Sequence, residues 1–92
     1  LGGMNVTPKG FAGLTRAVMD MAEECCGGRL VLTLEGGYDL RGERDSGKEV
    51  MKELSGKSRP DVSELLATGD DAALNHALDR ARQMHRRYWK NL

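Results

Sequence analysis

Residues 29–38 have the sequence RLVLTLEGGY, in which an almost continuous aliphatic run leads into two glycines and a tyrosine. Such a run predicts a strand that is buried on both faces, as strands inside parallel sheets are. The glycines let the backbone bend sharply and approach a ligand closely, because they carry no Cβ. Functional residues often follow the carboxyl ends of such strands. Tyr38, whose phenol can donate a hydrogen bond to a developing oxyanion, is therefore the leading candidate for a functional residue.

Helical patterns lie on both sides of this stretch. The first predicted helix begins at Thr7 and Pro8, which suit the N-cap and the first helical position. Apolar residues then recur at helical spacing until the glycine pair at 27–28, which predicts the end of the helix. Three more helices are predicted over about 41–54, 62–67 and 70–90.

The apolar positions predict where the core lies. Cys25 falls on the apolar side of the first helix and is expected to be a small buried residue. The last helix is expected to bury a stripe formed by Leu74, Ala77, Leu78, Ala81, Met84 and Tyr88. One strand cannot form a sheet, because its backbone N–H and C=O groups need partners on both sides. The element count therefore indicates that partner strands belong to a larger α/β domain or to a second chain.

Composition excludes several classes of protein. The 92 residues include 14 basic and 14 acidic side chains, which give no formal net charge at pH 7. A general attraction to nucleic acid or to an anionic membrane is therefore not expected. No apolar run approaches the roughly 18 to 20 residues that cross a bilayer, and the N-terminal residues do not resemble a signal peptide. The adjacent cysteines, Cys25 and Cys26, form no disulfide framework, which favours a cytoplasmic location.

Two segments of the first half closely resemble the zinc-dependent histone deacetylase family. They are LGGMNVTPKGF at 1–11 and GGRLVLTLEGGYDL at 27–40. The bacterial, class II-like branch, with acetoin-utilisation proteins and acetylpolyamine amidohydrolases, is the most similar. The resemblance is specific over the first half and looser in the tail. It implies that residues 1–56 are the C-terminal part of a deacetylase catalytic domain, and that residues 57–92 are a linker and a C-terminal helical tail.

The resemblance also implies a fold and a reaction. Family members have an arginase-like α/β fold around a parallel sheet, of which this chain would be a mostly helical C-terminal piece with one main strand at about 29–35. They use one catalytic zinc to hydrolyse the amide of an acetylated amine, such as acetyl-lysine or an acetylpolyamine. The family's zinc ligands, two aspartates and a histidine, would lie upstream of Leu1, so this chain is expected to supply no metal ligand and to be inactive alone. Its expected partners are the rest of the catalytic domain and, in the whole enzyme, the acetylated amine, with self-association of the isolated chain.

Four residues receive roles from this resemblance. Tyr38 aligns with the tyrosine that hydrogen-bonds the acetyl carbonyl oxygen and its tetrahedral oxyanion. Gly36 and Gly37 align with glycines that shape the floor of the acyl-lysine tunnel, and Leu1 aligns with a residue of the tunnel rim. Taken without the resemblance, Tyr38 is more simply a loop tyrosine that packs on a neighbouring helix.

Other polar residues favour simpler interpretations. His76 and His85 lie nine residues apart on one predicted helix, on opposite sides, so they cannot hold one metal ion together. Glu35 is either a hydrogen-bonding group beside the site or a residue that caps backbone groups in the turn. Residues 80–92 carry five basic side chains and no acid, which is more typical of a solvated face than of a nucleic-acid or membrane surface. The alternative function is a non-catalytic helical interaction module with a basic C-terminal helix.

Overall fold

The computed structural model describes residues 4–67, 69 and 71–89 of the chain. These residues form four helices, which are α1 (Pro8–Cys26), α2 (Leu40–Leu54), α3 (Val62–Ala67) and α4 (Asp71–His85). The four predicted helices and the mostly helical character of the chain are therefore confirmed. The last helix is shorter than predicted, because α4 ends at His85 and passes into a turn at 86–88.

The predicted strand at about 29–35 is wrong. Residues 29–37 adopt neither helix nor strand, and no strand occurs in any part of the chain that the structure describes. Val31 is 87% exposed and Leu34 is 79% exposed, so the aliphatic run is not buried. A strand persists only when a neighbouring strand pairs with its backbone N–H and C=O groups, and the described residues supply no such neighbour.

Both ends of α1 follow from local sequence. The Thr7 hydroxyl oxygen accepts a hydrogen bond from the Gly10 N–H at 3.1 Å, and Pro8 occupies the start of the helix. Gly27 ends the helix with a φ of +61°, in the left-handed region that glycine adopts without strain. The next N–H, of Gly28, donates to the Ala22 carbonyl at 3.0 Å. The predicted start and end of this helix are thus confirmed, each with its cap.

Helix α1 lies against α2 and, over a smaller contact, against α3. The buried residues of α1 are Ala12, Thr15 and Ala22. Helix α3 comes close to α1 at Gly13, where a Cβ would lie 2.8 Å from the Leu65 Cδ1 atom and would make that side chain shift. Small side chains therefore set the packed surface of α1.

Large apolar side chains lie elsewhere. Phe11, Leu14, Val18, Met21 and Cys25 recur at helical spacing along α1 and are all exposed; they are called the apolar stripe of α1 below. The expected burial of Cys25 is therefore wrong. The burial predicted for the last helix is also wrong, because every described residue of α4 is exposed, as is the following Tyr88. The physical reason is the same in both places, since nothing in the described part of the chain covers these faces.

No helix in the described ranges combines the length and the apolar character that crossing a bilayer requires.

Candidate functional site

Tyr38 lies where the irregular segment 29–37 meets α2. Its side chain is 86% exposed, and the next residue, Asp39, is the N-cap of that helix. The two residues before it, Gly36 and Gly37, have φ values of +85° and +115°. Residues with a Cβ rarely adopt such angles, and the chain bends directly after the glycine pair, at residues 38–39. The segment from Gly36 to Tyr38, called the turn below, leaves the Tyr38 phenol exposed.

Asp39 joins this turn to α2 through its side chain and its backbone. Its Oδ1 atom accepts a hydrogen bond from the Arg41 N–H at 3.1 Å. Its backbone carbonyl accepts from the Glu43 N–H at 2.8 Å. A Cβ at Gly42 would lie 3.1 Å from the Asp39 Oδ2 atom, which is closer than nearly all Cβ contacts. Gly42 weakens a helix in principle, and here it leaves room for the capping carboxylate.

The two glycines of the turn have different neighbours. A Cβ at Gly37 would overlap the carboxylate of Glu43, which belongs to the first turn of α2. A Cβ at Gly36 would meet only the ring of Tyr38, at the ordinary contact distance of 3.5 Å. Both glycines are therefore required by their φ values, and a Cβ at Gly37 would in addition displace the Glu43 carboxylate.

The structure brings three of the predicted site residues into this turn, namely Gly36, Gly37 and Tyr38. Leu1, the predicted rim residue, lies outside the described residues. Glu35 is exposed beside the turn. His76 and His85 are exposed on α4.

The residues that the structure describes do not fit a zinc ion. Over 4–67, 69 and 71–89, no three His, Cys, Asp or Glu side chains gather closely enough to hold a metal. Tyr38 supplies a hydrogen-bond donor, and the carboxylate of its neighbour Asp39 caps the N-terminus of α2.

Sequence reasoning missed a buried ion pair between α1 and α2. Glu53, near the end of α2, is fully buried. Its Oε1 atom accepts from the Arg16 Nε atom at 2.5 Å and also pairs with Arg16 Nη2, while Oε2 accepts from the Ser58 hydroxyl at 3.1 Å. The hydrogen bond from Arg16 to Glu53 raises the pKa of the Arg16 guanidinium, partial desolvation opposes this rise, and a second ion pair with Asp20 at 3.2 Å adds to it. The partners lie 37 residues apart, so no local pattern signals their contact.

Comparison with known proteins decides the family. The histone deacetylase domain family matches residues 1–54, a span that includes α1, the turn at 36–38 and α2. The chain belongs to the histone deacetylase family. This confirms the resemblance found in the sequence, and for the whole domain the family implies an arginase-like deacetylase fold. The family is generally zinc-dependent.

Several curated relatives support this assignment. The chain is 31% identical over 96 residues to histone deacetylase 4 of Caenorhabditis elegans, an alignment that covers 100% of this chain and 10% of that protein. It is 35% identical over 79 residues to histone deacetylase 15 of Arabidopsis thaliana, covering 86% and 14% of the two chains. It is 33% identical over 96 residues to a probable deacetylase of Archaeoglobus fulgidus, covering 92% and 27%. No solved structure matches the chain.

This histone deacetylase family chain therefore spans only part of its relatives. Its share of their lengths runs from 10% to 27%. The family match ends at residue 54, where α2 also ends, so α3 and α4 lie beyond it. The glycine-tyrosine turn and the buried ion pair both lie on the matched side.

Proposed function

We propose that this chain is the C-terminal part of the catalytic domain of a zinc-dependent deacetylase that hydrolyses acetyl-amides such as acetyl-lysine or an acetylpolyamine. The observation that carries the proposal is the match of residues 1–54 to the histone deacetylase domain. Since the described residues form no metal site, the zinc would be held by the rest of the catalytic domain. The zinc would supply Lewis-acid chemistry there.

In this proposal Tyr38 donates its phenolic hydrogen bond to the acetyl carbonyl oxygen of the substrate. A donor placed where negative charge develops stabilises the transition state more than the ground state. The exposure of the Tyr38 ring and its position directly after two glycines with positive φ support this role. Gly36 and Gly37 would line the floor of the acyl-lysine tunnel, and Leu1 would line its rim.

The rest of the catalytic domain is the proposed partner of this chain. The apolar stripe of α1 and the aliphatic segment 30–34 are both largely uncovered, and contiguous apolar surface of this kind marks an interface. In the isolated chain the same surfaces would favour self-association. We place the protein in the cytoplasm, where thiols such as those of Cys25 and Cys26 stay reduced.

Replacing Tyr38 by phenylalanine in the full-length protein tests the proposed role. The variant keeps the ring and loses the donor, so we expect kcat on acetyl-lysine or acetylpolyamine substrates to fall by about 100- to 1,000-fold. We expect KM to change little. Steady-state kinetics on both substrate classes measure this effect and identify which class is used.

Tyr88→Phe is the matched control, because Tyr88 is also exposed but lies in the tail beyond the family match. It should leave kcat unchanged. A Tyr38→Phe enzyme with wild-type kcat would contradict the role of Tyr38. The 92-residue chain alone should show no deacetylation above its own Tyr38→Phe variant, and activity above that level would contradict the need for the rest of the domain.

A non-catalytic helical interaction module is the second candidate, and the exposure of α4 favours it. Every described residue of this helix is exposed. In the basic turn that follows it, at 86–88, the Arg87 guanidinium lies 4.6 Å from the centre of the Tyr88 ring. Circular dichroism and size-exclusion chromatography of the 92-residue chain discriminate between the candidates. A monomer that melts cooperatively supports an independent module, whereas dimers or aggregates support one part of a larger domain.

A further inference from the structure

We propose that Asp39 is a positioning residue for Tyr38, which it holds in place by capping the N-terminus of α2. The inference rests on the proposed function and deepens it, because it names the residue that fixes the oxyanion donor. Asp39 does not need to touch the substrate for this role. It acts through the backbone of the residue beside it.

The first support is the double attachment of Asp39 to α2. The side-chain oxygen accepts from the Arg41 N–H at 3.1 Å and the backbone carbonyl accepts from the Glu43 N–H at 2.8 Å. Tyr38 is one peptide bond away from this fixed residue. With Asp39 held, the direction of the phenol depends on the backbone torsions between Tyr38 and Asp39 and on the χ1 and χ2 torsions of Tyr38.

The second support is that glycines leave room for the side chains in the first turn of α2. Gly42 leaves space for the capping carboxylate, since its Cβ would lie 3.1 Å from Asp39 Oδ2. Gly37 leaves space for the Glu43 carboxylate, which a Cβ would overlap. Glycines on both sides of Asp39 therefore leave room for the side chains at the start of α2.

The third support is the contrast between the two sides of Tyr38. On the N-terminal side lie two glycines and the irregular, mostly exposed segment 29–37. On the C-terminal side lies α2, which the Arg16–Glu53 pair joins to α1. Tyr38 is therefore joined to helical structure only on its C-terminal side, through Asp39.

Substitutions of Asp39 in the full-length protein test this proposal. Asp39→Ala removes the cap, and we expect kcat to fall by about tenfold while KM stays within about twofold, because a displaced donor weakens transition-state stabilisation. Asp39→Ser and Asp39→Asn restore a capping oxygen and should recover kcat to within about threefold of wild type. Failure of both to recover activity would overturn a capping role.

Thr7→Ala is the matched control. It removes the corresponding cap of α1, where the Thr7 hydroxyl accepts from the Gly10 N–H at the same distance of 3.1 Å. It should lower thermal stability by a similar amount and leave kcat within about twofold of wild type. An equal loss of kcat in both cap variants would show that Asp39 acts only through stability, and would overturn the proposal.

Gly42→Ala is a second test of the proposal, which applies even if the Asp39→Ala protein does not fold. Alanine favours a helix more than glycine does, yet its Cβ presses on the capping carboxylate. We expect kcat to fall several-fold without a fall in Tm. Unchanged kcat together with a normal Tm would contradict the proposal.

A double-mutant cycle with Tyr38→Phe separates this inference from the proposed function. If Asp39 acts through the phenol, Asp39→Ala should cost less than about twofold in kcat once the phenol is gone. An undiminished cost in the Tyr38→Phe background would overturn the inference. Wild-type activity of Tyr38→Phe itself would instead overturn the proposed function, on which the inference rests.

Discussion

The first half of the chain, residues 1–54, and the second half, which follows it, both form helices. The helices of the two halves differ in what they contact. Helices α1 and α2 lie against each other and share a buried ion pair, and both fall within the histone deacetylase match. Helix α4 lies beyond that match and is exposed at every described residue. Local capping and propensity suffice to form a helix, whereas burial requires a complementary surface. Helices α1 and α2 meet both requirements, whereas α4 meets only the first.

The same contrast occurs around α1 itself. Its buried residues are the small Ala12, Thr15 and Ala22, whereas the bulky apolar stripe is exposed. Burying large aliphatic and aromatic side chains is worth far more than burying alanines. The contact with α2 therefore leaves the largest apolar side chains of α1 exposed, and these are the side chains that the proposed docking on the rest of a deacetylase domain would bury.

Removing the buried Arg16–Glu53 ion pair should give the largest difference in thermal stability between changes in the two halves. Arg16→Met leaves the fully buried Glu53 carboxylate without its cation, and we expect the Tm of the 92-residue chain to fall by roughly 10 °C or more. Arg82→Met is the matched control, because Arg82 pairs with Asp79 at 3.6 Å on the exposed surface of α4. It should change Tm by less than about 2 °C. Thermal melts followed by circular dichroism compare the two, and similar shifts would contradict the distinction between the halves.

Two glycine substitutions in the first half should have opposite effects on stability. Gly37→Ala places a Cβ on a residue with φ of +115° and against the Glu43 carboxylate, so we expect a loss of about 1–3 kcal/mol. Gly47→Ala lies within α2 with no atom within 4 Å of the new Cβ, and should stabilise the helix by about 0.5–1 kcal/mol. Urea unfolding of the two variants measures both effects. A Gly37→Ala chain that is more stable than wild type would contradict the need for glycine in the turn.

The features that were predictable from the sequence are those that local chemistry fixes. Thr7 and Gly27 mark the ends of α1 because each satisfies backbone groups within a few residues of itself. The bend at residues 38–39 was predictable for the same reason, since the glycine pair is adjacent to it.

Features that depend on distant partners were not predictable. Glu53 is buried and paired with Arg16, 37 residues earlier, although in the sequence both look like ordinary solvated helix positions. The aliphatic run at 30–34 suggests a strand, yet a strand needs a neighbour that the described chain does not contain. The cap formed by Asp39 was not predicted either, because the glycine at position 42 made the start of α2 uncertain in the sequence.

The smallest expected effect concerns the start of the second half, where Asp61 precedes α3. The Ser63 hydroxyl at 2.5 Å, together with the N–H groups of Glu64 at 3.3 Å and Ser63 at 2.9 Å, lowers the pKa of the Asp61 carboxyl. A lowered folded-state pKa means that the stabilisation is complete above the ordinary value of about 3.9 and is lost as pH falls through the folded value. We expect the helical signal of the wild-type chain to decrease below about pH 4 by a small amount that Asp61→Asn lacks. An acid titration followed at 222 nm compares the two chains, and a decrease of the same size in Asp61→Asn would assign it to other carboxylates.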